Sequence, residues 1–440
     1  MSGSFSMRRF ICRILAALVL CGLATSARAA FSLGIDQLEK SNFAILKGKR
    51  IGLVTNPSGA DSKGRSAIDV LYRAGPVYGF RLVKLFGPEH GIYGKVRAGR
   101  EFSNSRDPHT GLPVYALYNS PQGDYRHPSP EMFEGLDAVI YDVQDLGNRS
   151  YTFISTLGNV MDQAAKSGIE VIVLDRPNPL GGIRIEGPRL DPELKSFVGM
   201  YDIPLVYGLT PGELAQWINA RYLERPCRLT VVRMQGWTRG MVWEDTRLKW
   251  VPTSPNVPTI RAARGYTATG MLGEIGIESG LGGPHPFEMV SGNGWDIDLL
   301  AARFNALRIP GVHAVPTSYR TDDGSAYEGI WLQIDPHNAG NLAAISYQAI
   351  DVLQRTVRDF QPFARSPHLS YGAWKDQLQM FDKCTGTSRV RLALDEGVPA
   401  SSIVRSWNAG ITDWAVERRP YLLYGAQPSV STVVSNSPTP

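Results

Sequence analysis

A parallel α/β domain followed by a smaller α+β domain is the fold class that this 440-residue sequence predicts, on three observations. Between residues 30 and about 235, short apolar runs alternate with helical patterns, as in a sheet whose strands are joined by crossing helices. Near Trp250 that texture gives way to Pro252, Pro255 and Pro258 with Ser and Thr between them, a crossing point into a second unit. Hydrophobic residues make up 43% of the chain and charged residues 20%, which supplies packed cores and excludes disorder over most of its length.

The elements follow in order. Arg50–Asn56 (RIGLVTN), Phe80–Phe86 (FRLVKLF), Asp137–Asp142 (DAVIYD) and Glu170–Asp175 (EVIVLD) are apolar without alternation, so they read as strands buried on both faces. Helical spacing appears over Arg65–Ala74 and over Tyr151–Lys166, the second stopped by Gly168. Pro211 opens a further helix through Tyr222, and the β-branched run Leu229–Val232 closes the series. Beyond the proline-rich crossing come a glycine-rich stretch (Gly270–Gly294), a helix near Asp296–Ala306, a strand near Gly329–Ile334 and a long helix over Asn341–Val357. The expected boundaries are 30–250 for the first domain and 251–425 for the second, with 426–440, uncharged and rich in Ser, Thr and Pro, as a disordered tail.

Charge narrows the partners. Of the net +5, four charges sit in residues 1–29 (Arg8, Arg9, Arg13 and Arg28, with no acid), so the remainder carries +1 and nucleic acid has no electrostatic attraction to it. Those first residues read as a secretory signal: a basic start through Arg13, the apolar run Ile14–Leu23, and Ala27-Arg28-Ala29 as the cleavage site. A lipid anchor at Cys21 is the poorer reading, because Leu20 precedes it where a small residue is wanted. No later run reaches the roughly 18 apolar residues of a membrane span, so a periplasmic or secreted location is expected. Cys227 and Cys384 remain after cleavage, and two free buried thiols are preferred over a disulfide.

In an open parallel sheet, ligands bind beyond the carboxyl ends of the strands. Here the four strand ends carry Asn56, then Glu89 and His90, then Asp142, Gln144, Asp145 and Arg149, and then Asp175, Arg176 and Asn178. Glu89, between Pro88 and His90-Gly91, is the foremost catalytic candidate, since a carboxyl held in a tight turn can act as a general acid. The alternative is a glutamate that caps the next segment or pairs with an arginine. Asp142 and Asp145 either face one site beside Gln144 or cap the following helix. Arg149 and Arg176 either bind a carboxylate bidentately or neutralise the neighbouring aspartates. Tyr93, Tyr151, Trp237 and Trp295 are available to stack on sugars, although core packing is the better default for each.

Other chemistries lose their motifs. No glycine-rich dinucleotide or nucleotide loop follows a strand, and no G-x-S-x-G elbow is present, so no cofactor is expected. His90, His109 and His127 lack metal-ligand spacing, so no metal is expected either.

Five strings carry a resemblance: FGPEHGIYG, DPHTGLPVYALY, YDVQDLGNRSYTFISTL, VIVLDRPNPLGG and SFVGMYDIPLVYGLTPGELAQWIN. Together with WEDTRLKWVPTSPNVPT and a last match near RRPYLLY, they resemble the exo-β-N-acetylmuramidases of the NamZ type over nearly the whole chain after residue 29. The resemblance implies a Rossmann-like domain and a smaller C-terminal domain with the cleft between them, and removal of N-acetylmuramic acid from the non-reducing end of peptidoglycan fragments. It also implies that Glu89 is the acid with His90 beside it, that Asp142, Gln144 and Asp145 form the second motif, and that Asp175, Arg176 and Asn178 form the third. Tyr151 and Asn56 join the substrate-binding set, and muramyl saccharides are the expected partner. One stretch departs: GLGGPHPFEMVSGNGW has Leu281 for an expected arginine and Ser291-Gly292-Asn293-Gly294 in place of the family's later turn. A fragment-binding protein without turnover, and an amidase or esterase using His90 with an acid, are the competing functions.

Overall fold

The computed structural model describes residues 31–119, 126–365 and 369–425; the leader expected over 1–29 and the tail expected over 426–440 lie outside them. Seven strands form the first sheet: β1 (Arg50–Thr55), β2 (Arg81–Gly87), β3 (Ser105–Arg106), β4 (Pro113–Ala116), β5 (Ala138–Asp142), β6 (Glu170–Leu174) and β7 (Arg228–Val232), in the order β3-β4-β2-β1-β5-β6-β7. All neighbours are parallel except the short edge strand β3, which runs antiparallel to β4. β3 and β4 carry no long apolar run, which is why the sequence pattern passes over them.

The unbroken apolar runs have a simple cause. Along the central strands, alternate residues enter two separate cores: Val54, Tyr141 and Val173 one, and Leu53, Ile140 and Ile172 the other. Helices cover both faces, so neither set meets water. The helices here are α1 (Gly34–Lys40), α2 (Ala67–Tyr78), α3 (Pro130–Phe133), α4 (Phe153–Ser167) and α5 (Pro211–Arg221). α2 packs its Ile68 and Leu71 on the Leu53 face, and α4 packs its Leu157 and Met161 on the Tyr141 face. α4 ends at Gly168 in the left-handed conformation, and α5 begins with a reciprocal cap between Thr210 and Glu213 behind Pro211.

Strand order reverses around β1. After β2 the chain adds strands on one side of β1 and then crosses to place β5 on the other; β1 and β5 stay paired to their last residues, Thr55 beside Asp142, and the loops beyond them lead to helices on opposite faces. That switch point is where a crevice opens in such sheets.

Two helices, α6 (Trp243–Thr246) and α7 (Ile260–Thr269), lead to the smaller part. Its antiparallel sheet has the order β8-β10-β9, from β8 (Met289–Gly292), β9 (Val312–Arg320) and β10 (Ala326–Ile334). α8 (Ile297–Asn305) and α9 (Ile345–Thr356) bury one face of it through Leu300, Phe304, Ile330, Leu332 and Ile350. Asp296 caps α8 as its position suggests, whereas the helix expected from Asn341 starts with a 3-10 turn over Leu342–Ala344. Four further helices, α10 (Tyr371–Thr385), α11 (Ser388–Asp395), α12 (Ala400–Ser406) and α13 (Asn408–Glu417), return the chain to the first part, where the Trp414 indole donates to the Tyr207 carbonyl at 2.8 Å. Cys227 and Cys384 are separate buried thiols, and no helix among the described residues is long and apolar enough to cross a membrane.

Candidate active site

The β2 end makes a tight turn. The Gly91 amide donates to the Pro88 carbonyl at 2.9 Å, and His90, at the third position, adopts φ +73°. An L-residue in the left-handed region is costly and needs support; His90 has it, for its ring is buried and its Nδ1 lies 2.8 Å from the Val96 carbonyl oxygen. The turn aims Glu89 outward. One Glu89 oxygen accepts from the Gly99 amide at 2.8 Å and the other from the Thr152 hydroxyl at 2.7 Å. Thr152 is the residue before α4, and its side chain makes no helix cap. It holds the glutamate instead. Tyr118, just past β4, adds a third neighbour: burial first, and then the adjacent Glu89 charge, push its hydroxyl up to about 12.

A buried polar layer accompanies Glu89. Tyr151 is buried, packs edge-on against Phe153 and Tyr266, and shares a hydrogen bond of 2.8 Å with the Thr253 hydroxyl. Burial pushes the Tyr151 hydroxyl well above its usual range, and the charges of Glu89 and Asp145 add to the shift. Asn56 donates to the Thr253 carbonyl at 3.2 Å and accepts from the Ser58 amide at 2.9 Å. Gln144 donates to the carbonyls of Asp145 and Pro177, each at 2.8 Å. Asp145 accepts from the Gly147 amide at 2.6 Å and from the Tyr207 hydroxyl on the same oxygen. Burial raises its carboxyl to about 6, against those donors. The other Asp145 oxygen and the Gln144 carbonyl oxygen are buried without a hydrogen-bond partner, an arrangement that costs free energy and marks a place for a donor.

The remaining strand-end residues are engaged with the protein itself. Arg176 meets Asp142 at 2.6 Å and the Ala60 carbonyl at 2.8 Å, both side chains being buried. Burial nonetheless raises the Asp142 carboxyl, with Arg176 pulling the other way. Asp175 accepts from the amides of Arg176 and Gly212 and from the hydroxyls of Thr210 and Tyr424; burial still lifts it to about 7. Asn178 bridges the Leu209 carbonyl and the Leu180 amide at 3.0 and 2.9 Å.

Arg149 is a strut between the two parts of the molecule. It donates to the carbonyls of Pro188, Ile203, Cys384 and Thr385, at 2.8, 2.6, 3.4 and 2.5 Å. Gly386 has φ +94°, and a Cβ there would stand 2.0 Å from the guanidinium, so glycine makes the room. Arg176 thus neutralises an aspartate, as the alternative reading had it, whereas Arg149 does neither: its two terminal nitrogens go to backbone carbonyls and its Nε is buried without a partner. Glu89 alone among the expected catalytic residues is half-buried rather than closed off.

The histidines go separate ways, since His109 packs on Tyr93 and His127 pairs with Asp162 at 2.6 Å. Asp36, Glu39 and Asp61 gather their oxygens within 4.8 Å of one another, but Arg65 pairs with Asp61 and Glu39 there. A cavity of about 550 Å³ lies elsewhere, between α7 and the β9-β10 sheet, lined by Arg261, Arg264, Glu288 and Trp331 among others. It includes none of the strand-end residues. Thr152, Tyr118, Tyr207 and Thr253 were outside the expected set; the sequence pattern placed Thr152 inside the helix over Tyr151–Lys166, whereas it stands just before that helix, which starts at Phe153.

A parallel sheet that gathers polar side chains, one carboxyl partly open among them, beyond its strand ends has the architecture of an α/β enzyme that binds its substrate there. Comparison with known proteins makes this specific. The N-terminal model of the exo-β-N-acetylmuramidase NamZ matches residues 51–261, and its C-terminal model matches residues 264–424. A peptidoglycan β-N-acetylmuramidase NamZ of Bacillus subtilis (strain 168) is 36% identical over 434 residues, covering 95% of this chain and all of the relative. Two crystal structures of DUF1343 family proteins from Bacteroides fragilis share the fold, one with TM-score 0.79 and 37% identity, the other with 0.67 and 27%; each alignment covers 90% of this chain and 99% of the other. The chain belongs to the exo-β-N-acetylmuramidase NamZ family and is a glycosidase.

Proposed function

We propose that the protein is an exo-acting hydrolase that releases N-acetylmuramic acid from the non-reducing end of peptidoglycan fragments, with Glu89 as the general acid. The carrying observation is the grip on Glu89: an amide on one oxygen and a hydroxyl on the other, drawn from different loops, keep the carboxyl oriented while its outer side stays open. Cleavage of a glycosidic bond passes through an oxocarbenium-like state, so the leaving oxygen needs a proton while the anomeric carbon needs electron density. Glu89 gives the proton. The second need falls to Asp145, whose unpartnered oxygen and raised pKa suit it to accept from the substrate's 2-acetamido N–H as that group attacks its own anomeric carbon. Water then opens the cyclic intermediate, returning its proton to Glu89. The leader over residues 1–29 would deliver this activity to the periplasm or the exterior.

Against an acyl hydrolase stands His90, whose ring is buried against the Val96 carbonyl rather than presented beside an acid. Incubation with a MurNAc-GlcNAc disaccharide decides the matter. Release of N-acetylmuramic acid by the wild type and not by Glu89→Gln supports the reading. Tight binding without products, or cleavage of acyl bonds only, replaces it with one of the two competitors.

A further inference from the structure

The reading above leaves the acidic lactyl group of N-acetylmuramic acid without a partner, because Arg149 and Arg176 are closed into the protein. Another arginine stands at the site. The Arg126 guanidinium lies 4.0 Å from the centre of the Tyr118 ring and 5.1 Å from that of Phe197, and these two rings meet edge to face at 5.8 Å. Tyr118 is the same residue whose hydroxyl the nearby Glu89 charge pushes up and the Arg126 charge pulls down. One ring therefore neighbours both the cation and the acid.

Three features set Arg126 apart from the other arginines near the strand ends. Its backbone adopts φ +54°, unusual for a side-chain-bearing residue. Among the described residues no carboxylate pairs with it, and its Nε, like that of Arg149, is buried without a hydrogen-bond partner, but its guanidinium lies on aromatic rings where that of Arg149 is tied to backbone carbonyls. Its carbonyl is tied to the Asn159 side chain of α4 at 3.4 Å, so the residue is anchored at its backbone while its charge is unspent. Lys95, Arg97 and Arg100 are also near, on the loop that gives Glu89 the Gly99 amide, but they are exposed, with no ring beneath them. A guanidinium lying on an aromatic face keeps its in-plane N–H groups available, and those match a carboxylate two at a time.

We infer that Arg126, mounted on Tyr118 beside Glu89, receives the lactyl carboxylate and is the residue that makes this site prefer muramic acid to glucosamine. The inference rests on the proposed glycosidase reading. Arg126 is a specificity residue: it touches the substrate's acid arm and not the bond that breaks.

The test compares two chromogenic β-glycosides, one of N-acetylmuramic acid and one in which the lactyl carboxyl has been converted to the amide, on wild type, Arg126→Ala and Arg126→Lys. For the acidic substrate, Arg126→Ala should raise KM about 10- to 100-fold with kcat within about 3-fold, the loss of a charge-assisted hydrogen bond made equally in ground and transition states. The amide substrate should be cleaved alike by wild type and Arg126→Ala, which also shows that the variant is folded. Arg126→Lys should recover part of the lost affinity. Equal loss on both substrates, or no loss on either, overturns the inference. If the wild type cleaves neither glycoside, it is the glycosidase reading that fails. Calorimetry with free N-acetylmuramic acid and N-acetylglucosamine then tests Arg126 alone: preference for the acidic sugar, abolished in Arg126→Ala, upholds the assignment, and equal binding refutes it.

Discussion

Two groups of acids sit at the same edge of the same sheet, a few strands apart, and are treated in opposite ways. After β2, Glu89 is half open, gripped by one amide and one hydroxyl and free of any ion pair among the described residues. After β5 and β6, Asp142 and Asp175 are buried and surrounded, the first by a guanidinium and the second by four donors. A carboxyl that must exchange a proton with a ligand needs orientation without enclosure. One that holds three loops together needs enclosure, and its partners offset part of the desolvation cost. Asp142 and Asp145 each keep one buried oxygen without a hydrogen-bond partner, but only Asp142 faces a guanidinium among the described residues.

Substitutions can break this contrast. Glu89→Gln should lower kcat for MurNAc-GlcNAc by about 10²- to 10⁴-fold while shifting stability by no more than about 0.5 kcal/mol, read by product release and by urea unfolding. Arg176→Met should do the reverse, costing about 3–5 kcal/mol in the same unfolding experiment because it leaves Asp142 buried and unpaired. If Arg176→Met proved neutral, the supporting role of the inner acids would be lost.

The pH dependence sharpens the distinction. Burial raises Asp175 to about 7 and Asp145 to about 6, both above the usual value of 3.8, so the folded state binds their protons more tightly than the unfolded chain does. Their contribution to stability is therefore full below about pH 4 and is lost as pH rises toward 7. Denaturant midpoints across that range, compared with those of Asp175→Asn, should show a shallower decline in the variant. The smallest effect is expected from Thr152→Ala, which removes one hydroxyl from Glu89: about 5- to 10-fold in kcat/KM, with no change in the pH dependence of stability.

Much of the fold could be read from residue order because β1, β5 and β6 bury both faces, which leaves an uninterrupted apolar signature, and because Gly168 and Pro211 mark helix ends by their backbone limits. β3, β4, β8 and β9 escaped notice. β9 is half exposed and mixes His313, Thr317 and Arg320 with its apolar residues, and the other three are short. The site was legible only as a set of polar strand ends. Residue type cannot say whether an arginine will be closed in, as Arg149 is, or left unpaired on a ring, as Arg126 is; that depends on Pro188, Cys384 and Phe197, distant in the chain. Likewise Thr152 meets Glu89 across 63 positions, with no local pattern to announce it.

The Arg149 strut has a consequence for how the molecule comes apart. Its guanidinium leaves the loop that follows β5 and finishes on the last carbonyls of α10, in the C-terminal half. Severing the chain near residue 262 would therefore leave the cation with only its Pro188 and Ile203 acceptors on one fragment and orphan the Cys384 and Thr385 acceptors on the other. The two pieces should be recovered only as a reassembled pair that melts in a single step.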